Sequence, residues 1–185
     1  MTTDASLAAI AALDDRIARL EQLLQASQLG LGDPPVSRII HCNRGHGGLW
    51  YFWDGGNKVA IPVTAKSITG FIRSLDVEAG EYKGETTHSM RLALDCGQQN
   101  YVLSAGHKSL FARCIYLALG AMTAEQLRGP IAIAPKAGTD DEKALLASVW
   151  AGTTFIKSDW TDDPTKIRES FMKALKTIQE VNSHA

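Results

Sequence analysis

Near the start of the chain, Ile10, Leu13, Ile17, Leu20 and Leu24 recur at spacings of 3, 4, 3 and 4. This is the rhythm of a coiled-coil seam. Asp14, Asp15, Arg16, Arg19 and Glu21 occupy the outer positions. With Asp4 or Ser6 as its cap, the pattern predicts a helix over residues 1–28. A two-stranded coil this short is marginal, so the stripe serves either packing on its own domain or oligomerisation. Gly30-Leu31-Gly32-Asp33-Pro34-Pro35 cannot continue the helix, and residues 29–37 read as a linker.

From Arg38 the period shortens toward two, the repeat of half-buried strands. In Trp50-Tyr51-Phe52-Trp53, alternation sends Trp50 and Phe52 to one face and Tyr51 and Trp53 to the other. Both faces are then aromatic, so at most one pair faces water and the other covers the domain. Asp54-Gly55-Gly56-Asn57 is a hairpin turn into a partner strand over Lys58–Val63. Ser67–Val77 reads as a long strand with a glycine inside it. His88–Asp95 alternates, with Met90, Leu92 and Leu94 on one face, and Cys96-Gly97-Gln98-Gln99 turns it into Asn100–Ser104. Lys108–Met122 has the apolar stripe of a helix. After Gly129-Pro130, strands over Ile131–Ala134 and Glu142–Gly152 flank a polar loop. Asp163-Pro164 is an N-cap followed by proline at the first helical position, opening an amphipathic helix within residues 153–185. Its apolar stripe is Ile167, Phe171, Ala174, Leu175, Ile178 and Val181.

Between Ser67 and Gly152 the order is a long strand broken by glycine, a two-stranded hairpin, a helix and two further strands. This order, with the glycine of Ile68-Thr69-Gly70-Phe71-Ile72, resembles the OB-fold. That fold is a five-stranded Greek-key barrel whose second and third strands and adjoining loops bind oligonucleotides. Glycine permits the bend by which one long strand serves both halves of a small barrel. The resemblance implies a mainly β fold with flanking helices (α+β). Residues 38–152 would form an OB-like five-stranded barrel plus an extra N-terminal hairpin, with helices at both termini. It also implies a function similar to that of bacterial single-strand-binding proteins and replication protein A modules: binding single-stranded DNA or RNA with little sequence preference.

The surface implied by that resemblance can be named. With Ile68 and Ile72 inward, Phe71 and Arg73 face out, as does Arg91, opposite Leu92 and Leu94. Tyr101 shares a face with Leu103. Tyr82 and Lys83 fall in the first long loop and Lys136 in the last. Rings stack on bases while cations follow the phosphates. Phe71, Tyr82, Tyr101 and Trp50 or Trp53 are thus the candidate stacking residues, and Arg44, Arg73, Lys83, Arg91 and Lys136 the candidate phosphate contacts. The lead-in Asn43-Arg44-Gly45-His46-Gly47-Gly48 would add flexible backbone N–H groups. Glu78, Glu81 and Glu85 in the first loop, and Asp140, Asp141 and Glu142 in the last, oppose this by repelling phosphate. The alternative is a non-enzymatic adaptor whose terminal helices bind partner proteins, with the barrel as scaffold.

A chain of 185 residues, 45% hydrophobic and 21% charged, can bury one ordinary core. Its net charge is −1, yet 11 Lys/Arg face 7 Asp/Glu between Arg38 and Lys136, a basic middle between acidic ends. Such asymmetry suits a polyanionic partner. Three cysteines are too few for a disulfide framework. With no secretory pattern and no apolar run of about eighteen residues, they point to a cytoplasmic protein outside the membrane. His41, Cys42 and His46 lack the spacing of a zinc pair. Helix capping accounts for the Asp159, Asp162 and Asp163 cluster, and Cys114 lies on the apolar face of its helix. No GxxxxGK[ST], GxGxxG or GxSxG motif occurs. The expectation is therefore a non-enzymatic protein without catalytic residues, metal or cofactor. It would act in replication or recombination as a homo-oligomer or as a subunit of a larger complex.

Overall fold

In the computed structural model, residues 16–17, 37–82, 84–97, 99–139 and 141–183 are described. The chain divides into two units, Met1–Pro34 and Pro35–Ala185. Of the first, the helical pair Arg16 and Ile17 is described. The remainder of the helix expected over 1–28, and all of the linker but Ser37, lie outside the described residues.

The second unit contains strands β1 (Arg38–His41), β2 (Tyr51–Asp54), β3 (Val59–Pro62), β4 (Ile68–Tyr82), β5 (Glu85–Asp95) and β6 (Asn100–Gly106). Helices α1 (Leu110–Ala121) and α2 (Ala124–Arg128) follow, then β7 (Ile131–Ala137), β8 (Leu145–Ala151), β9 (Thr154–Phe155) and α3 (Pro164–Ser183). Among the described residues the nine strands make one mixed sheet, ordered β3-β2-β1-β6-β5-β4-β7-β8-β9.

The two halves of the sheet share β4. Its residues Ile68–Gly70 pair with β7, and from Phe71 to Tyr82 it pairs with β5. The change of partner brings backbones close. A Cβ on Gly70 would lie 2.6 Å from the Asp95 carbonyl oxygen and 2.7 Å from Cys96 Sγ, so glycine is required there. A register shift between Ile72 and Ser74 leaves Arg73 as the extra residue of a bulge, which bends the strand further. Beyond Gly70 the β7 side of β4 is open, and α3 covers its first stretch. Asn182 Nδ2 donates to the carbonyls of Arg73 at 2.7 Å and Ile72 at 3.4 Å, giving those groups partners.

Strand alternation supplies the core. Cross-strand register sets Leu75 of β4 beside Leu92 of β5, Leu92 beside Leu103 of β6, and Leu103 beside Ile40 of β1. All four are buried. Phe111, Ile115, Tyr116 and Leu119 of α1 are buried in the same cluster. Each such side chain contributes about 1.5–3 kcal/mol when fully removed from water. Ser109 caps α1, its Oγ accepting from the Ala112 N–H at 3.2 Å. α3 lies against α1 so closely that a Cβ on Gly120 would meet the Ser170 carbonyl oxygen at 2.8 Å.

The fold is mainly β with helices, an α+β arrangement, as the pattern predicts. The five-stranded ring is not closed. Closing it would require β6 and β8, the outer strands of the run β6-β5-β4-β7-β8, to pair. Instead β6 takes β1 in parallel, from Arg38 opposite Tyr101 to His41 opposite Ser104, and β8 takes β9. The N-terminal hairpin is therefore no appendage, because β1 joins it to the sheet. α2 occupies a stretch to which the pattern assigns no element, and Thr123 and Gln126 form its capping box. No helix among the described residues is long and apolar enough to cross a membrane.

Candidate nucleic-acid interface

The pairing of β1 with β6 creates an opening on the apolar face of the sheet. Register places Arg38 beside Tyr101, Ile40 beside Phe52, and Phe52 beside Ile61. Arg38, Phe52, Ile61 and Tyr101 thus continue the face that carries Leu103 and Leu92 in the core. They line a groove of about 530 Å³, whose far wall is the segment before β4 and the start of that strand, including Ser67 and Thr69. The Phe52 and Tyr101 rings are 6.3 Å apart between centroids and tilted by 34°. The Arg38 guanidinium lies over the Phe52 ring, 4.4 Å from its centroid, a cation–π contact. Among the described residues, Arg38 is the one charged side chain lining the groove, and it makes no ion pair. Lys66, between the lining residues Ala65 and Ser67 in sequence, is exposed and does not itself line the groove.

The aromatic run splits between burial and exposure. Trp50 precedes β2 and is 2% exposed. Its Nε1–H donates to the Ala65 carbonyl at 3.1 Å, pinning the groove wall. This corrects the expectation of Trp50 as a stacking platform: burial and that hydrogen bond make it a core residue. Trp53 is 48% exposed, but alternation places it on the opposite face of β2 from Phe52. Tyr51 is buried on that same opposite face, under the loop from Asn43 to Gly48. Asn43 Nδ2 donates to Tyr51 Oη at 3.2 Å. The His46 ring meets Tyr51 edge-on at 4.7 Å, and His41 stacks on it at 5.2 Å. Arg44 sits half-buried in this loop.

Two of the other cationic candidates, Arg73 and Arg91, are committed elsewhere. Arg73 pairs with Asp95, and the Arg73 hydrogen bond, followed by that from the Gly97 N–H, holds the Asp95 carboxyl below the usual carboxylate range. Arg91 lies on the outer face beside Ser104, with His41 beyond it. Its Nε donates to Glu78 Oε2 at 2.7 Å, while its Nη1 is buried without a hydrogen-bond partner among the described residues. Burial, then Arg91, then His46 push the His41 imidazole below its ordinary pKa. Phe71 and Arg73 are exposed, as expected, but line a separate cleft of about 310 Å³ with Arg128 and Asn182. Tyr82 is exposed near the tip of the β4–β5 hairpin. Lys136 is exposed on β7 and lines neither opening. Lys83 lies outside the described residues.

The expected convergence of these side chains is thus not made. Of the stacking candidates, Tyr101 and Trp50 line the groove with Arg38, and of the two Trp50 is buried. The reason lies in the unclosed ring: β1 and the β2–β3 hairpin extend the sheet, and the outer face divides into small local contacts. Phe52 and Arg38 are the residues that the candidate set lacks. Alternation in Arg38-Ile39-Ile40-His41 puts Arg38 on the face of Ile40, but the parallel partner that turns this face into a groove leaves no periodic signal. Burial pushes the Cys42 and Cys114 thiols above the ordinary range, and burial followed by Asp95 raises Cys96. Among the described residues, no group of three or more His, Cys, Asp or Glu is arranged to hold a metal ion. No protein-family model, curated protein or solved structure matches the chain.

Proposed function

We propose that this protein binds single-stranded nucleic acid, DNA or RNA, in the groove between β1–β3 and the start of β4. The frame is an OB-like run from β4 to β8, left open at the β6–β8 seam and widened by β1 and the β2–β3 hairpin. One observation carries this reading: an open groove joins two aromatic rings with a guanidinium that, among the described residues, makes no ion pair and meets no lining carboxylate. Bases stack against Phe52 and Tyr101, while Arg38 and Lys66 neutralise the passing phosphates. Stacking contributes about 1–3 kcal/mol per base and reads no base edge, so sequence preference is weak. The absence of a lining carboxylate matters because a nearby negative charge would oppose every phosphate that entered.

Fluorescence anisotropy of labelled oligo-dT, titrated at low and moderate salt, tests the proposal. Micromolar binding that weakens steeply with salt is expected. Phe52→Ala should weaken it about tenfold or more through loss of a stacking contact. Arg38→Ala should reduce the salt slope by roughly one phosphate contact. No binding at about 100 μM protein, the weak end of non-specific affinities, would overturn the reading. If a stable oligomer were then present, it would favour an adaptor instead.

A further inference from the structure

We propose a second binding site, for a small apolar acid, in the groove between α1 and α3. This opening has a volume of about 550 Å³ and shares no lining residue with the nucleic-acid groove. Its size lies within the range of small-molecule sites, roughly 300–1,000 Å³. The lining separates into an apolar floor and a cationic rim.

Val77 of β4, Tyr116 of α1, and Ile167, Phe171 and Met172 of α3 supply the apolar part. The Tyr116 and Phe171 rings meet edge to face at 5.0 Å, and His107 approaches Phe171 at 6.4 Å. His107 Nδ1 and Tyr116 Oη are hydrogen-bonded at 2.9 Å, so the polar ends of these rings already have partners. Met172 is exposed at the lip, where its flexible thioether can follow the shape of an apolar ligand.

Lys108, Arg113 and Arg168 form the rim against one carboxylate, Asp162. Arg113 Nη1 is paired with Asp162 Oδ1 at 2.9 Å. Lys108 and Arg168 make no ion pair among the described residues. His107 is held below its ordinary pKa by burial, then by His88 and Lys108. Two uncommitted cations over an apolar floor fit a carboxylate on a hydrocarbon or aryl body. A cationic amphiphile meets the same rim with repulsion. A bare anion leaves the floor wet, and a neutral hydrocarbon leaves both cations unanswered.

Decanoate below its micellar concentration is the probe. Isothermal titration calorimetry on the full chain compares it with decyltrimethylammonium and with acetate. Decanoate should bind, and the other two should bind at least about tenfold more weakly, a difference of roughly 1.4 kcal/mol. Lys108→Glu and Arg168→Glu change exposed positions, and each should weaken decanoate about tenfold. Arg38→Ala, in the other groove, should leave decanoate binding unchanged. Equal affinity for the two oppositely charged amphiphiles, or undiminished decanoate binding in both rim variants, overturns the site. So does co-sedimentation with phosphatidylglycerol vesicles without binding of monomeric decanoate, because the ligand is then a bilayer and not a free acid.

Discussion

Trp50 and Trp53 belong to one aromatic run, yet the first is 2% exposed and the second 48%. Alternation puts them on opposite faces, but it cannot say which face meets water. The Ala65 carbonyl decides for Trp50, by taking its indole N–H into the wall of the groove. Trp50→Ala is expected to cost about 3–5 kcal/mol, the usual loss for a buried large aromatic. Trp53→Ala should stay within about 1 kcal/mol, as for an exposed site. Urea unfolding followed by circular dichroism measures both; equal losses would show that Trp53 is packed as tightly as Trp50. Arg73 and Arg91 teach the complementary lesson. Both face outward as their strands predict, but Asp95 and Glu78 already hold them. An outward cation is available to a ligand only when no carboxylate stands across the strand pair.

At the scale of elements, local chemistry was readable where it ends or begins a segment. Asp163-Pro164 opens α3, and Asp163 Oδ1 accepts from the Thr165 N–H at 2.9 Å, the bond expected of an N-cap. Asp163→Ala should therefore destabilise the protein by about 1 kcal/mol. Thermal unfolding reads this as a lowered midpoint, and an unchanged midpoint would mean that α3 is held by packing alone. The long strand with its internal glycine is β4, whose Gly70 sits where the strand changes partners. The alternating residues of β5 face the core as read. What alternation could not supply was the choice of neighbours. β1 is four residues long, and no local pattern in so short a strand specifies a parallel partner more than sixty residues away.

For the whole molecule, that choice of neighbour determines the candidate site. β1 occupies the edge of β6 that a closed ring would give to β8, and the sheet stays open. Phe52, Arg38 and Tyr101 come from strands separated in sequence and meet because of it. Cys96 lines the same groove and is half-buried, whereas Cys114 lies on α1 outside it. Bound oligo-dT should slow N-ethylmaleimide labelling of Cys96 several-fold and leave Cys114 unchanged. Labelling followed by mass spectrometry of the peptides measures this, and equal rates with and without oligonucleotide would move the ligand out of the groove.

By itself the sequence determined the α+β class, the C-terminal amphipathic helix, the long strand with Gly70 inside it and the inward faces of β4 and β5. Those features depend on side-chain period, glycine sterics and capping, which act over a few residues. Only the tertiary structure decided that the ring stays open, that Trp50 is sealed, and that among the described residues Arg73 and Arg91 are ion-paired while Arg38 lies over Phe52 without an ion pair. Strand pairing and ion pairing are contests between distant groups, settled by which partner the folded chain brings nearest.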